Sequence, residues 1–169
     1  MEDPSILKTR FIERPARKLI LLRSKEADNY FAYCEEVGCG QSGDSLAWDL
    51  LLDIREALDE PLGIWLPDSM RTPGTGLYAH GVEVPAAYDG PIPTGFDVLD
   101  LEPCTYLLFQ GPPYSDSEFG QAISLCLDQI QAFDPRALGY QYAPQAAPRI
   151  QFKPQGQRGY VEMLPIEKM

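Results

Sequence analysis

"PCTYLLFQ", residues 103 to 110, decides how this chain is assembled, because it echoes "PARKLILL", residues 15 to 22. Each is a proline followed by a compact apolar run. Short runs of this kind, bounded by turn-forming or polar residues, read as buried strands. A second echo follows the first: "GIWLP" ends at Pro67 and "IQFKP" ends at Pro154. The spacing is 88 positions from Pro15 to Pro103 and 87 from Pro67 to Pro154. Two separate strands sharing nearly one offset point to an internal duplication.

Helices fall between the paired strands. "DNYFAYCEEV" (28 to 37) suits a short helix, and "GCGQSG" (38 to 43) then breaks the chain. From Asp44, the residues Ala47, Leu50, Leu51, Ile54 and Leu58 recur at helical spacing with Trp48 at the shoulder of the stripe, predicting the first main helix. The second main helix is marked by Ser115 three residues before Glu118, the pattern of a capping box, and by an apolar face of Phe119, Ala122, Ile123, Cys126, Leu127, Ile130 and Phe133. Strands are also expected at 76 to 85, at 96 to 111 with a break at Pro103, and at 159 to 166. The order is strand, helix, strand, strand, twice over. This predicts an α+β fold in which duplicated βαββ units form one antiparallel sheet, with the two main helices on one face and a ligand groove on the other. A chain of 169 residues, 44% hydrophobic, suits a single domain spanning 1 to 169.

Charge narrows the partners. The 14 basic residues stand against 25 acidic ones, a net charge of -11, so a nucleic-acid backbone is an unsuitable partner and no direct DNA binding is expected. The first 22 residues lack the pattern of a secretory leader, and no stretch of about 18 residues is uninterruptedly apolar, so no membrane association is expected and a cytoplasmic location is. Cys34, Cys39, Cys104 and Cys126 show no paired spacing and His80 is the one histidine, which predicts reduced thiols and no metal site. "GCGQSG" lacks the preceding strand and following lysine of a phosphate loop, and no cofactor is expected.

The candidate site centres on Glu162. Within "GYVEML" (159 to 164), strand alternation puts Tyr160, Glu162 and Leu164 on one face and Val161 and Met163 on the other. A carboxylate among such neighbours needs a partner, a proton or a ligand. Trp65, Tyr78, Tyr106 and Tyr160 supply rings on nearby strands, and His80 shares the parity of Tyr78. Trp65 alternates with Ile64 and Leu66, which suits the groove side if those two face the helices. Rings around a desolvated carboxylate can hold an amphipathic or cationic molecule through area and cation-π contact.

"GFDVLDLEPCTYLLFQGPPY" (95 to 114), the helix after it and the closing "GYVEMLPI" (159 to 166) resemble the GyrI-like domain, also called the AraC-type effector-binding or multidrug-binding domain. The resemblance covers about 150 residues, from near Arg10 onward. It implies a duplicated βαββ fold that binds hydrophobic or cationic small molecules centrally, with Glu162 at the family's acidic position before the terminal Pro165 and Ile166. Members include drug-sensing transcriptional regulators, a stand-alone gyrase inhibitor and hydrolases of cyclopropane-bearing electrophiles. Residues 1 to 10 cannot make a helix-turn-helix, so the expectation is a stand-alone sensor or sequestering domain, with a protein partner undefined. The alternatives are a cofactor-independent hydrolase using Glu162 and Tyr78, and a gyrase-directed inhibitor.

Overall fold

The computed structural model describes residues 7–38 and 45–169. Among these residues nine strands form one sheet: β1 (Lys8–Arg14), β2 (Arg17–Arg23), β3 (Leu62–Trp65), β4 (Tyr78–Pro85), β5 (Asp97–Leu101), β6 (Cys104–Gln110), β7 (Tyr140–Tyr142), β8 (Arg149–Gln151) and β9 (Val161–Lys168). The helices are α1 (Tyr30–Val37), α2 (Leu46–Leu52) and α3 (Phe119–Ala132). All the pairings are antiparallel, in the order β1-β6-β9-β8-β3-β4-β2-β5, with β7 added beside β9.

The duplication is visible in that order. The first unit is β2, the helices α1 and α2, β3 and β4; the second is β6, α3, β8 and β9. The units meet where β3 pairs with β8, so Gly63 lies opposite Gln151 and Trp65 opposite Arg149. Both echoed sequence pairs occupy equivalent places, since "PARKLILL" and "PCTYLLFQ" overlap β2 and β6 while "GIWLP" and "IQFKP" overlap β3 and β8. The edge strands are exchanged. β1 pairs with β6 of the second unit, and β5 pairs with β2 of the first.

That exchange curls the sheet. Six strand steps separate β1 from β2, a distance of about 29 Å if the sheet were flat. The link from Arg14 to Arg17 can span only about 10 Å. The sheet therefore bends until its two ends approach. On its inner face lie Leu19, Leu21, Leu62, Ile64, Ile150 and Met163, all buried. The inner seam is stitched by Arg17, whose Nε donates to Glu83 at 2.6 Å and whose Nη1 donates to the carbonyls of Pro15 at 3.2 Å and Glu102 at 3.0 Å. Both side chains of that ion pair are fully buried.

The outer face carries the helices. Ile20, Val82 and Val84 pack with Leu51 of α2, while Leu107, Phe109 and Tyr160 pack with Cys126 and Ile130 of α3. Two helical expectations change. The stripe from Asp44 to Leu58 becomes a helix of seven residues, because the chain turns at Asp53 and the Leu58 amide bonds the Glu83 carbonyl. Asp44 itself, like Cys39 and most of "GCGQSG", lies outside the described residues. At the second helix, the Ser115 hydroxyl bonds the Glu118 carboxylate at 2.7 Å and leaves the helix amides to a leading 3-10 turn, so no capping box forms. Strands β1 and β7 were not expected from the sequence.

Candidate functional site

Strand register places the outer-face residues at the centre of the sheet in one band. Across β4, β3, β8 and β9 this band reads Tyr78 and His80, Gly63 and Trp65, Arg149 and Gln151, and Glu162 with Tyr160 immediately before its strand. It lies between the packing of α1 and α2 on one side and of α3 on the other: Tyr33 (tilted) and Trp48 (edge-on) pack against His80, while Tyr160 packs with Cys126 and Ile130. Five of the six expected ligand contacts, Glu162, Trp65, Tyr78, Tyr160 and His80, are thus brought together. The side of the sheet differs from expectation, because Ile64 and Leu66 face inward and away from the helices, into an inner face whose buried side chains are mainly apolar. Tyr106 is on that inner face, where its hydroxyl accepts from Arg17 Nη2 at 3.5 Å and donates to the Pro148 carbonyl at 2.8 Å.

The band is sealed, where an open groove was expected. Glu162 and His80 are fully buried, and Tyr78 and Tyr160 are nearly so. Polar groups at this depth must be satisfied internally, and they are, by a side-chain chain that runs through both units. Ser45 Oγ lies 2.6 Å from His80 Nδ1, and His80 Nε2 lies 3.1 Å from the Tyr78 hydroxyl. The Tyr78 hydroxyl donates to Gln151 Oε1 at 3.4 Å, Gln151 Nε2 donates to the Tyr160 hydroxyl at 3.0 Å, and that hydroxyl donates to Glu162 Oε2 at 2.7 Å. Arg149 Nε completes the chain at Glu162 Oε1.

One proton arrangement satisfies every link. Because Tyr78 gives its proton to Gln151, it must accept from His80, which is then neutral with its proton on Nε2 and accepts at Nδ1 from Ser45. All the hydroxyl, imidazole and amide donors then point the same way, toward Glu162. Such aligned chains strengthen one another in a low-dielectric interior. The imidazole is fitted to the neutral role, since burial pushes its pKa down to about 3. Burial raises the phenols of Tyr78 and Tyr160 far above their ordinary value, with the Glu162 charge adding to the effect at Tyr160.

Local sequence explains the placement. Ser45 caps α2 by accepting from the Trp48 amide at 3.1 Å, which holds its hydroxyl against His80. Gly63 sits on β3 between Tyr78 and Gln151, and any Cβ there would collide with the Tyr78 hydroxyl. Its missing side chain lets the phenol reach across the strand. Arg149 stands half-exposed over Trp65, 4.9 Å from guanidinium carbon to ring centroid, while the Trp65 indole donates to the Asp28 carbonyl at 3.0 Å. Ser45, Gln151 and Arg149 were missed by the sequence reading. The available signal was the alternation of "RIQ", which places Arg149 and Gln151 on one face beside the strand of Glu162.

Among the described residues, no group of three His, Cys, Asp or Glu side chains is disposed to hold a metal ion, and no helix is long and apolar enough to cross a membrane.

No family model matches the chain, and neither does any curated protein sequence. Solved structures do share its fold. SAV2435 bound to tetraphenylphosphonium superposes with a TM-score of 0.58 at 14% identity, covering 95% of this chain and 94% of that one. A proposed bacterial transcription regulation protein from Staphylococcus aureus MU50 gives 0.53 at 14% identity, covering 95% and 99%. The EcmrR C-terminal domain gives 0.50 at 9% identity, covering 97% and 99%. At these identities the likeness is one of fold alone, extending over nearly the whole of each chain.

Proposed function

We propose that the chain is a GyrI-like effector-binding domain that takes an amphipathic organic cation at Glu162, in the place now held by the Arg149 guanidinium. One observation carries this reading. The fully buried Glu162 carboxylate is matched by a cation on a half-exposed arm resting on an indole ring. A ligand combining positive charge with aromatic or aliphatic bulk reproduces both contacts, the charge on Glu162 and the stacking on Trp65. Arg149 can swing into solvent without leaving its own charge buried. Tyr160, Tyr78 and His80 then form the wall, and Tyr106 takes no part. SAV2435, which has the same fold, binds tetraphenylphosphonium, a cation of this class.

A sensing or sequestering role suits this site better than hydrolysis. A catalytic tyrosine nucleophile needs a lowered pKa or an adjacent free base. Burial instead raises Tyr78 and Tyr160, and Glu162 is committed to Arg149 and Tyr160. A net charge of -11 opposes duplex DNA as a direct partner.

The test is calorimetric titration of tetraphenylphosphonium into the native chain and Glu162→Gln, which keeps shape and removes charge. Affinity should fall by roughly 1 to 3 kcal/mol. Equal affinity would show that the carboxylate is not the anchor.

A further inference from the structure

On β9, Val161 and Met163 point away from Glu162 into the inner face of the curled sheet, where they help to line a cavity of about 360 Å³. The cavity is back to back with the Glu162 band. Its floor is apolar, made by Ile12, Leu108, Phe152, Val161 and Met163, and its rim carries Arg10, Arg14 and Arg158 against Asp59, Glu60 and the Gln110 amide.

Two guanidinium donors beside this rim are unmatched. The buried Nε–H groups of Arg14 and Arg158 have no hydrogen-bond partner, and the nearby Glu83 Oε1, also without one, faces Arg14 Nη1 and not either Nε–H. Arg14 reaches its carboxylates only at 3.6 Å (Asp59) and 3.4 Å (Glu83), whereas Arg158 uses its terminal nitrogens on Glu60 and the Lys153 carbonyl. Arg10 is exposed and makes no ion pair among the described residues. Buried donors without acceptors are costly, and guanidinium groups can only donate. What would satisfy these two Nε–H groups is an acceptor, and the apolar floor asks for a hydrophobic body behind it. The volume falls at the low end of the range of about 300 to 1,000 Å³ for small-molecule sites.

We propose that this inner-face cavity is a second ligand site, separate from Glu162 and opposite to it in charge preference, for an amphipathic carboxylate. The carboxylate lies on the rim arginines and the tail on Ile12, Leu108 and Met163.

The experiment uses the full chain and octanoate, with octylammonium and acetate as controls. Methyl resonances of Ile12 and Met163 are followed by NMR during titration. Octanoate should shift both in a saturable manner, acetate should bind much more weakly for want of a tail, and octylammonium should leave both methyls unmoved. Arg10→Glu changes an exposed residue of an edge strand and keeps the fold, and it should weaken octanoate by roughly threefold to tenfold. Stationary Ile12 and Met163 methyls, octylammonium shifting them as readily as octanoate, or an unchanged affinity in Arg10→Glu would each overturn the proposal.

Discussion

Arg149 and Trp65 face each other across the junction of the two repeats, paired in register on β8 and β3, with the guanidinium carbon 4.9 Å from the indole centroid. The contact holds the arm that neutralises Glu162, so the carboxylate of one unit is sealed by a stack built on the other.

The first prediction concerns that arm. Arg149→Ala leaves Glu162 without its cation and should destabilise the chain by about 1 to 3 kcal/mol, less than for a fully buried pair because Arg149 is half-exposed. The same change opens the proposed site. Tetraphenylphosphonium should bind Arg149→Ala several-fold more tightly and raise its melting temperature more than that of the native chain. Weaker binding, measured by titration, would mean that Arg149 supports the site instead of occupying it.

The second prediction tests the passage over Gly63. Gly63→Ala puts a methyl group where the Tyr78 hydroxyl lies and should cost about 1 to 3 kcal/mol by chemical denaturation. Tyr78→Phe alone strands the His80 and Gln151 partners at a comparable cost. Together the two should cost clearly less than their sum, because removal of the hydroxyl makes room for the methyl. Strict additivity in the double-mutant cycle would contradict the clash.

The third prediction is a pH dependence. Folding holds His80 neutral with its pKa at about 3, against 6.5 for the free side chain. The unfolded chain therefore binds a proton that the folded chain refuses, and this contribution is complete above about pH 6.5 and is lost as pH falls toward 3. Between pH 7.5 and pH 5 the loss should be about 2 kcal/mol, and any folded pKa below about 4 gives the same figure. The rings of Tyr30, Tyr33, Tyr78 and Trp48 that surround the imidazole carry no charge in this range. His80→Gln should flatten that part of the stability profile, and an unaltered slope would assign it to other groups.

The fourth prediction addresses the seam. Arg17→Met leaves Glu83 buried without its closest cation and should cost about 3 to 5 kcal/mol. Adding Glu83→Leu should recover much of the loss, since an apolar pair of similar size avoids desolvation altogether. Failure to recover would point to the bonds from Arg17 to Pro15 and Glu102 as the dominant contribution.

Much of the architecture was legible because it rests on apolar runs. Pro103 divides 96 to 111 into β5 and β6, and the repeated runs mark β2 and β6 as equivalents. β1 was not legible: "KTRFIER" is mostly charged and exposed, and it is a strand through its pairing with β6 rather than through its own composition. Five residues of the buried band, Trp65, Tyr78, His80, Tyr160 and Glu162, could be grouped from strand parity, but their side of the sheet could not. Glu162 on one face of β9, with Tyr160 just before the strand, and Val161 and Met163 on the other are all buried, so alternation identifies two faces without telling which one the helices cover. Glu162 raised the question of a partner. Its answer lay on β8, a strand of three residues whose polar positions, Arg149 and Gln151, resemble those of an ordinary solvated edge.

The exchanged edge strands bear on the order in which the chain becomes ordered during synthesis. β2, β3, β4 and β5 pair among themselves and can close as soon as residue 101 has emerged, whereas β1 has its partner in β6. The first described strand to leave the ribosome therefore waits for the sixth. At roughly 5 to 20 residues per second, the interval from Arg14 to Gln110 lasts on the order of 5 to 20 seconds. Throughout that time the charges of "KTRFIER" keep an unpaired strand in solution, so the composition that hides β1 from a sequence reader also protects it from premature pairing.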